Sequence, residues 1–340
     1  MNVKKYNIVI MGATGLVGKE LIQILHERSF PVNNLYLIAS DKSFGSILSF
    51  GTKNLTVDCI NNVNANNIDL VFNSVNDQIS PITFNKFRNT NAIIIDKSST
   101  YRKNSKVKLI VSDVNDKKLQ KKESFHQIID NLNIVSMPNC CVIPIAIVFF
   151  TLITKLKTKI NRAVISTYQS ASGAGNFYVS KLAKEAAEIL SFREKKETLY
   201  SAFNLSPYIG EIDEDGNSEE ENKIQYEINK ILEKKIPISV TCVRVPVFIG
   251  HSISINIELD KEHCIDEIIK ALKNNSQCEL HDTEDNLTPK NISGKNKITI
   301  GRIRKDYTRK SSFNMWITSD NLRIGAALNA IKTAETIISK

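Results

Sequence analysis

The segment Pro138-Asn139-Cys140-Cys141 follows a short apolar run and leads into Ile143–Leu156, an apolar stretch of helical length. A cysteine at a helix start has its thiolate stabilised by the unsatisfied N–H groups and the helix dipole, which lowers its pKa. Such a thiolate can attack a carbonyl carbon. The alternative is that both cysteines are small core residues, a common fate for a thiol in a reducing compartment. A thiol nucleophile needs an acid/base, and the chain has five histidines. His26, His126, His263 and His281 sit in polar helical surroundings and read as surface residues. His251 instead breaks two strand-like runs at Gly250-His251-Ser252, with Arg244 seven residues earlier. A base beside a guanidinium suits an anionic substrate. A turn histidine with its ring in solvent fits the same residues.

Phosphate chemistry is suggested nearer the N-terminus. Gly12-x-x-Gly15-x-x-Gly18 comes directly after a β-branched run and opens a helix-patterned segment. Glycines there permit a tight turn and let backbone N–H groups approach a phosphate at the helix start. A purely structural strand–helix turn is the other reading. Further on, Ser40-Asp41-Lys42-Ser43 holds both an acidic residue, which favours the ribose hydroxyl of NAD, and a cation with a hydroxyl, which favour the 2′-phosphate of NADP. The small-residue loop Tyr168–Gly175 lets backbone approach a ligand closely. Asp96–Arg102 ends a strand with hydroxyls and one arginine, an anion clamp in pattern. Either stretch could also be an ordinary connection.

The elements that must position these residues fall into two groups. Tyr6–Met11, Leu35–Ala39, Leu55–Ile60, Leu70–Asn73 and Ala92–Asp96 read as short buried strands, separated by helical or loop segments such as Lys19–Arg28. That alternation predicts a parallel sheet covered by helices. From about Ile134 the texture changes. Helices over Ile143–Leu156 and Tyr178–Arg193 alternate with strands over Arg162–Tyr168, Ser239–Val247, Ser252–Leu259 and Lys297–Arg304. These predict an α+β domain with a mixed or antiparallel sheet. Asp213–Asn222 reads as an exposed loop leading into a helix, and Asn274–Lys297 as polar and turn-rich.

A chain of 340 residues, 42% hydrophobic and 24% charged, is an ordinary globular composition that excludes fibrous, disordered and disulfide-scaffold classes. At about 150 residues per domain it predicts two domains. The net charge is 45 − 36 = +9. Its cations are scattered and no recognition motif accompanies them, so no nucleic-acid partner is expected. The longest apolar run, Val142–Ile153, contains Pro144 and falls short of the ~20 residues a bilayer requires, so no membrane partner is expected. Six cysteines without a C-x-x-C pair predict neither a disulfide framework nor a metal site, and a cytoplasmic setting.

Taken in order, GATGLVG, DKSSTYR, PNCC, TYQSASGAG, Glu220-Glu221-Asn222-Lys223, RVPVFIGHS and GRIR…SDNLRIGAALNA resemble the blocks of the aspartate-β-semialdehyde dehydrogenase family. The resemblance implies a Rossmann-type nucleotide domain over residues 1–138. A catalytic and dimerisation domain would span 139–319, with a C-terminal helix over 320–340 returning to the first domain. It implies NADPH-dependent reductive dephosphorylation of L-4-aspartyl phosphate to L-aspartate 4-semialdehyde, a step towards lysine, threonine, methionine and diaminopimelate. Cys140 would form a thioester, His251 would act as acid/base, and Gln169 would position the substrate. Arg244 and Glu220 would hold the substrate's carboxylate and amino groups, with Arg102, Lys223 and Asn139 binding phosphate or the aspartyl group. Thr14, Gly15, Leu16, Val17, Lys42, Ser43, Ser172, Gly173 and Asn321 would line the NADP site. A homodimer or homotetramer is implied.

The chain departs from the family at Ser74-Val75-Asn76-Asp77, where a glycine-containing loop is usual, and at Ser112-Asp113-Val114-Asn115, where P-E-V-N is usual. Lys42 stands for an arginine and Cys141 for a serine or threonine. The nearest enzymatic alternative is N-acetyl-γ-glutamyl-phosphate reductase, against which Glu220 and the DNLRIGAALN block speak. An inactive paralogue is disfavoured by the intact Cys140, His251 and Arg244.

Overall fold

The computed structural model describes residues 4–119, 132–193 and 201–339. His126 lies outside them. The chain forms two compact units, Met1–Asn139 with Ala326–Lys340, and Cys140–Gly325. The expected return to the first unit at residue 320 therefore comes six residues later. The delay has a local cause. Asp320 and Asn321 accept backbone N–H groups from Gly294 and Gly250, which tie this stretch to the second unit.

In the first unit, β1 (Tyr6–Met11), β2 (Val32–Ile38), β3 (Ile47–Phe50), β4 (Lys53–Asp58), β5 (Leu70–Asn73), β6 (Ile93–Asp96), β7 (Lys108–Leu109) and β8 (Ile134–Ser136) form one sheet. Its order is β3-β4-β2-β1-β5-β6-β8-β7. All neighbours are parallel except the edge pair β3–β4. The central strands are continuous apolar runs because both faces are covered. Helix α1 (Leu16–Glu27) buries Leu21, Ile22, Ile24 and Leu25, and α2 (Ser80–Phe87) follows β5. The chain leaves β1 towards β2 and later resumes at β5 on the other side, so the C-terminal ends of β1 and β5 form a topological switch point. The closing helix, Leu328–Ile338, belongs to this unit. Arg28 grips Glu335 with two hydrogen bonds of 2.6 and 2.7 Å. Asn329 bridges Ser112 N–H and Ile110 C=O, within and beside the departing Ser112–Asn115 segment.

The second unit carries a mixed sheet of β9 (Ile160–Gln169), β10 (Ile238–Arg244), β11 (His251–Leu259), β12 (Cys278–Leu280), β13 (Ile298–Lys305) and β14 (Ser312–Ser319). Its order is β10-β9-β11-β14-β13-β12. The outer pairs β10–β9 and β12–β13 are parallel and the inner pairs antiparallel. Helix α3 (Val142–Leu156) is apolar on nearly every side and is correspondingly buried, packing on α5 (Glu219–Leu232) and α6 (Ile265–Lys273). Helix α4 is Asn176–Leu190. Strand β10 stops at Arg244 rather than Val247, because Pro246 has no N–H to continue the ladder. Strand β14 has no counterpart among the expected strands, although Phe313, Met315 and Ile317 alternate with Ser312, Asn314 and Thr318.

Candidate active site

Cys140 immediately precedes Cys141, the N-cap of α3, so the thiol sits at the helix end where first-turn N–H groups gather. Pro144 contributes none of them. Cys140 Sγ lies 3.2 Å from His251 Nε2. His251 opens β11 between β9 and β14 and is fully buried, which overturns the solvent-turn reading. The break before it is made by Gly250, whose φ of +92° suits glycine.

The backbone N–H of Ser170 lies 3.0 Å from His251 Nδ1. An amide N–H can only donate, so Nδ1 is the acceptor and the neutral ring carries its proton on Nε2. That proton points at Cys140, which makes His251 a donor to a thiolate. Burial pushes the neighbouring Cys141 thiol well above its ordinary value, and the hydrogen bond it makes to Cys140 adds to that. Of the two, Cys140 is the thiol that faces His251 Nε2. The Cys140, Cys141 and His251 donor atoms lie within 4.8 Å of one another. With Nε2 protonated and Cys141 held as a thiol, however, the trio suits proton handling rather than metal ligation.

Gln169 and Arg244 end adjacent strands in register. Arg244 Nη1 donates to the Ser170 carbonyl at 2.6 Å, and its guanidinium lies 5.9 Å above the Tyr178 ring. Gln169 is buried, donating to Glu220 Oε1 at 2.9 Å while Thr167 Oγ1 donates to its Oε1 at 3.0 Å. Glu220 stands in the first turn of α5, behind the Ser218–Glu221 capping box, where a helix start favours negative charge. Lys223 Nζ is 2.7 Å from Glu219 and 3.9 Å from Glu220. A side chain on Gly173 would meet Arg244 Nη1 at 3.2 Å and His251 Nε2 at 3.3 Å, so the absent Cβ leaves the gap these groups share.

Ser172 and Asn321, expected beside the cofactor, hydrogen-bond to each other and to Ser170 within the second unit. Three groups here were not singled out from the sequence: Ser170, which touches both His251 and Arg244, Thr167 behind Gln169, and Gly325 against Cys140. Ser170 lay inside the small-residue loop. The loop pattern gave no reason to prefer it to Ser172.

The remaining expected residues belong to the first unit. Gly12 has φ +76°, and a Cβ there would lie 2.9 Å from the Ser74 carbonyl oxygen at the switch point. Gly18 packs so closely on the turn that its Cβ would fall 2.2 Å from Gly12 O. Gly15 is the N-cap of α1, and Leu16 and Val17 are its first residues. Thr14 Oγ1 and Ser43 Oγ lie 3.3 Å apart, which joins the glycine turn to the Asp41–Ser43 turn. Lys42 is exposed, while Asp41 takes a 3.2 Å contact from the Cys59 thiol. Asp77, in the departing loop, clamps Ser99 through N–H and hydroxyl. Arg102 is buried, donating to the carbonyls of Ser98 at 3.0 Å and Lys97 at 2.7 Å. Asn139 is buried and is the last residue before Cys140.

Residues 7–122 match a family model described as "semialdehyde dehydrogenase, NAD binding domain", and residues 150–324 match "semialdehyde dehydrogenase, dimerisation domain". An aspartate-semialdehyde dehydrogenase of Rickettsia conorii is 41% identical, covering 99% of this chain and 98% of that protein. One of Aquifex aeolicus is 36% identical over 98% of each. The crystal structure of aspartate semialdehyde dehydrogenase II from Vibrio cholerae, complexed with ASA, is similar with a TM-score of 0.92 at 29% identity, covering 99% of both chains.

Proposed function

The chain belongs to the aspartate-semialdehyde dehydrogenase family, and from that premise we propose that it reduces L-4-aspartyl phosphate to L-aspartate 4-semialdehyde, releasing phosphate and consuming NADPH. The observation that carries the reading is the 3.2 Å pairing of Cys140 Sγ with a His251 ring whose proton sits on Nε2.

Cys140 thiolate attacks the acyl carbon, the bond to the phosphate oxygen breaks, and a thioester forms. NADPH, when bound, is the hydride source for the thioester carbon. The developing oxyanion is met by N–H groups at the start of α3 and by His251 Nε2–H. His251 moves the proton on and off the hemithioacetal oxygen, and breaking the C–S bond returns Cys140 as thiolate. Arg244 holds the substrate carboxylate and Glu220 its amino group, with Gln169 positioning the reacting carbon. Arg102, Asn139 and Lys223 bind phosphate or the aspartyl group.

For the cofactor, Gly12 leaves a cradle that a Cβ would fill, at the start of a helix whose N-terminus attracts phosphate. Lys42, beside the paired Thr14 and Ser43 hydroxyls, meets the 2′-phosphate, so the cofactor is NADP. The dimerisation-domain match and the exposed Phe177, Leu190 and Phe203 support a homodimer. Among the described residues no helix is long and apolar enough to cross a membrane. A biosynthetic role shared with bacterial relatives supports a cytoplasmic location.

The test is a direct assay of NADPH formation from aspartate semialdehyde, phosphate and NADP. Phosphate-dependent formation is expected, and none with purified, folded protein rejects the reading. Lys42→Ala should lower kcat/KM with NADP and leave NAD unaffected. An equal loss with both would mean that Lys42 does not read the 2′-phosphate.

A further inference from the structure

His251 is asked to give up a proton, and a neutral imidazole does not do so at accessible cost. Acid behaviour needs the imidazolium, with hydrogens on both ring nitrogens. The Nδ1 side must then find an acceptor. Its nearest partner, the Ser170 backbone N–H at 3.0 Å, can only donate. The second is Ser170 Oγ at 3.1 Å, a group that can do either. Ser170 and His251 are both fully buried, so bulk water does not stand in for the hydroxyl.

Behind Ser170 stands a defined acceptor. Gly250 N–H donates to Asn321 Oδ1 at 2.8 Å, which orients the amide with its oxygen inward. Asn321 Nδ2 donates to Ser172 Oγ at 3.0 Å. Ser170 Oγ lies 3.3 Å from Asn321 Oδ1 and 3.1 Å from Ser172 Oγ. We propose that the Ser170 hydroxyl is a positioning group for His251, donating to Nδ1 while the ring is neutral and accepting from it when the ring is charged, its own hydrogen then turning to Asn321. No bond is made or broken at Ser170, since the hydroxyl only rotates.

Cys140 faces Nε2, with Cys141 beside it, and thiolate at Cys140 favours a charged ring. Arg244 shares the Gly173 gap and disfavours one. Glu220 is bound to Gln169, the neighbour of Ser170. On the β14 side, Asp320 is engaged by the N–H groups of Leu322, Arg323 and Gly294, and Arg323 by Asn296. None of these charged groups supplies an acceptor to Nδ1. Ser170 does.

The inference rests on the reductase reading, so its test has one arm that needs no substrate. Ser170→Ala keeps the backbone N–H to His251 and the carbonyl that holds Arg244, and removes only the hydroxyl. A hydrogen bond to the charged ring is stronger than one to the neutral ring, and the difference corresponds to about one pH unit. In Ser170→Ala the His251 titration, followed by 15N-histidine NMR, and the alkaline limb of kcat should both move down by that amount. KM for the semialdehyde should hold, and Ser170→Thr should restore the limb. An unmoved titration, or a loss of kcat uniform across pH, overturns the proposal. If Ser170→Ala does not fold, the unaltered protein decides. Its neutral His251 must carry the proton on Nε2, and a proton on Nδ1 overturns the proposal. A Ser170→Ala titration that shifts as expected, with unaltered protein that forms no NADPH, rejects the reductase reading instead.

Discussion

Gly325 stands so close to Cys140 that a Cβ on it would lie 2.9 Å from the Cys140 Cβ and 3.1 Å from the Cys140 carbonyl oxygen. It sits within the π-helical turn Arg323–Ala327, an irregularity often found at functional sites. The nucleophile is thus seated against bare backbone. Gly325→Ala must push Cys140 away from His251. A displacement near 1 Å costs about a hundredfold in turnover. Steady-state kinetics should show that loss with the NADP KM little changed, because the glycine turn at Gly12 is untouched. Full turnover in the alanine variant would mean that α3 yields without moving the thiol.

Cys140 and Cys141 are separated by chemistry rather than position. Cys141 is fully buried and held as a thiol by that burial, whereas Cys140 faces the Nε2 proton of His251. Cys140→Ser should abolish activity with the melting temperature preserved, and Cys141→Ser should retain most of it. Activity lost in Cys141→Ser and kept in Cys140→Ser would reverse the assignment.

Arg244 and Arg102 should fail in different ways. Arg244, fixed by the Ser170 carbonyl beside the reacting pair, presents a planar guanidinium that lysine does not copy. Arg244→Lys should reduce kcat by about a hundredfold through misplacement of the substrate. Arg102 spends two donors on its own loop, so Arg102→Lys should raise the phosphate KM and also lower the melting temperature. Kinetics with phosphate and semialdehyde varied separately, alongside calorimetry, distinguish the two. A change confined to phosphate dependence in Arg244→Lys would exchange the roles.

Buried thiols should make the fold sensitive to alkali. Burial pushes Cys242 and Cys278 up to about 12 from the ordinary 9.0. The unfolded chain releases these protons near 9 while the folded chain keeps them. Their contribution is therefore intact below that value and is lost as pH rises towards 12. Each thiol removes about 1.4 kcal/mol per pH unit in that window. Urea unfolding between pH 8 and 10.5, in approximate steps of half a unit, should show a shallower decline in Cys278→Ala by one thiol's share. Parallel slopes would place Cys278 in contact with water.

Local pattern in the sequence already determined much of this molecule. The apolar run Tyr6–Met11 and the glycine turn after it specify strand, tight turn and helix because each is a short-range steric matter, and they appear where expected. The apolar Ile143–Leu156 specifies a buried helix, and hence a thiol at its start, for the same reason. His251 was already named by the sequence; what only the tertiary structure decided is how its ring meets that thiol and in which state. His251 and Cys140 are 111 residues apart, and β-register across β9, β11 and β14 brings the ring inward. The proton on Nε2, the double duty of Ser170 and the clearance at Gly325 depend on atoms from separate strands and turns meeting within about 3 Å, a proximity that spacing along the chain does not encode.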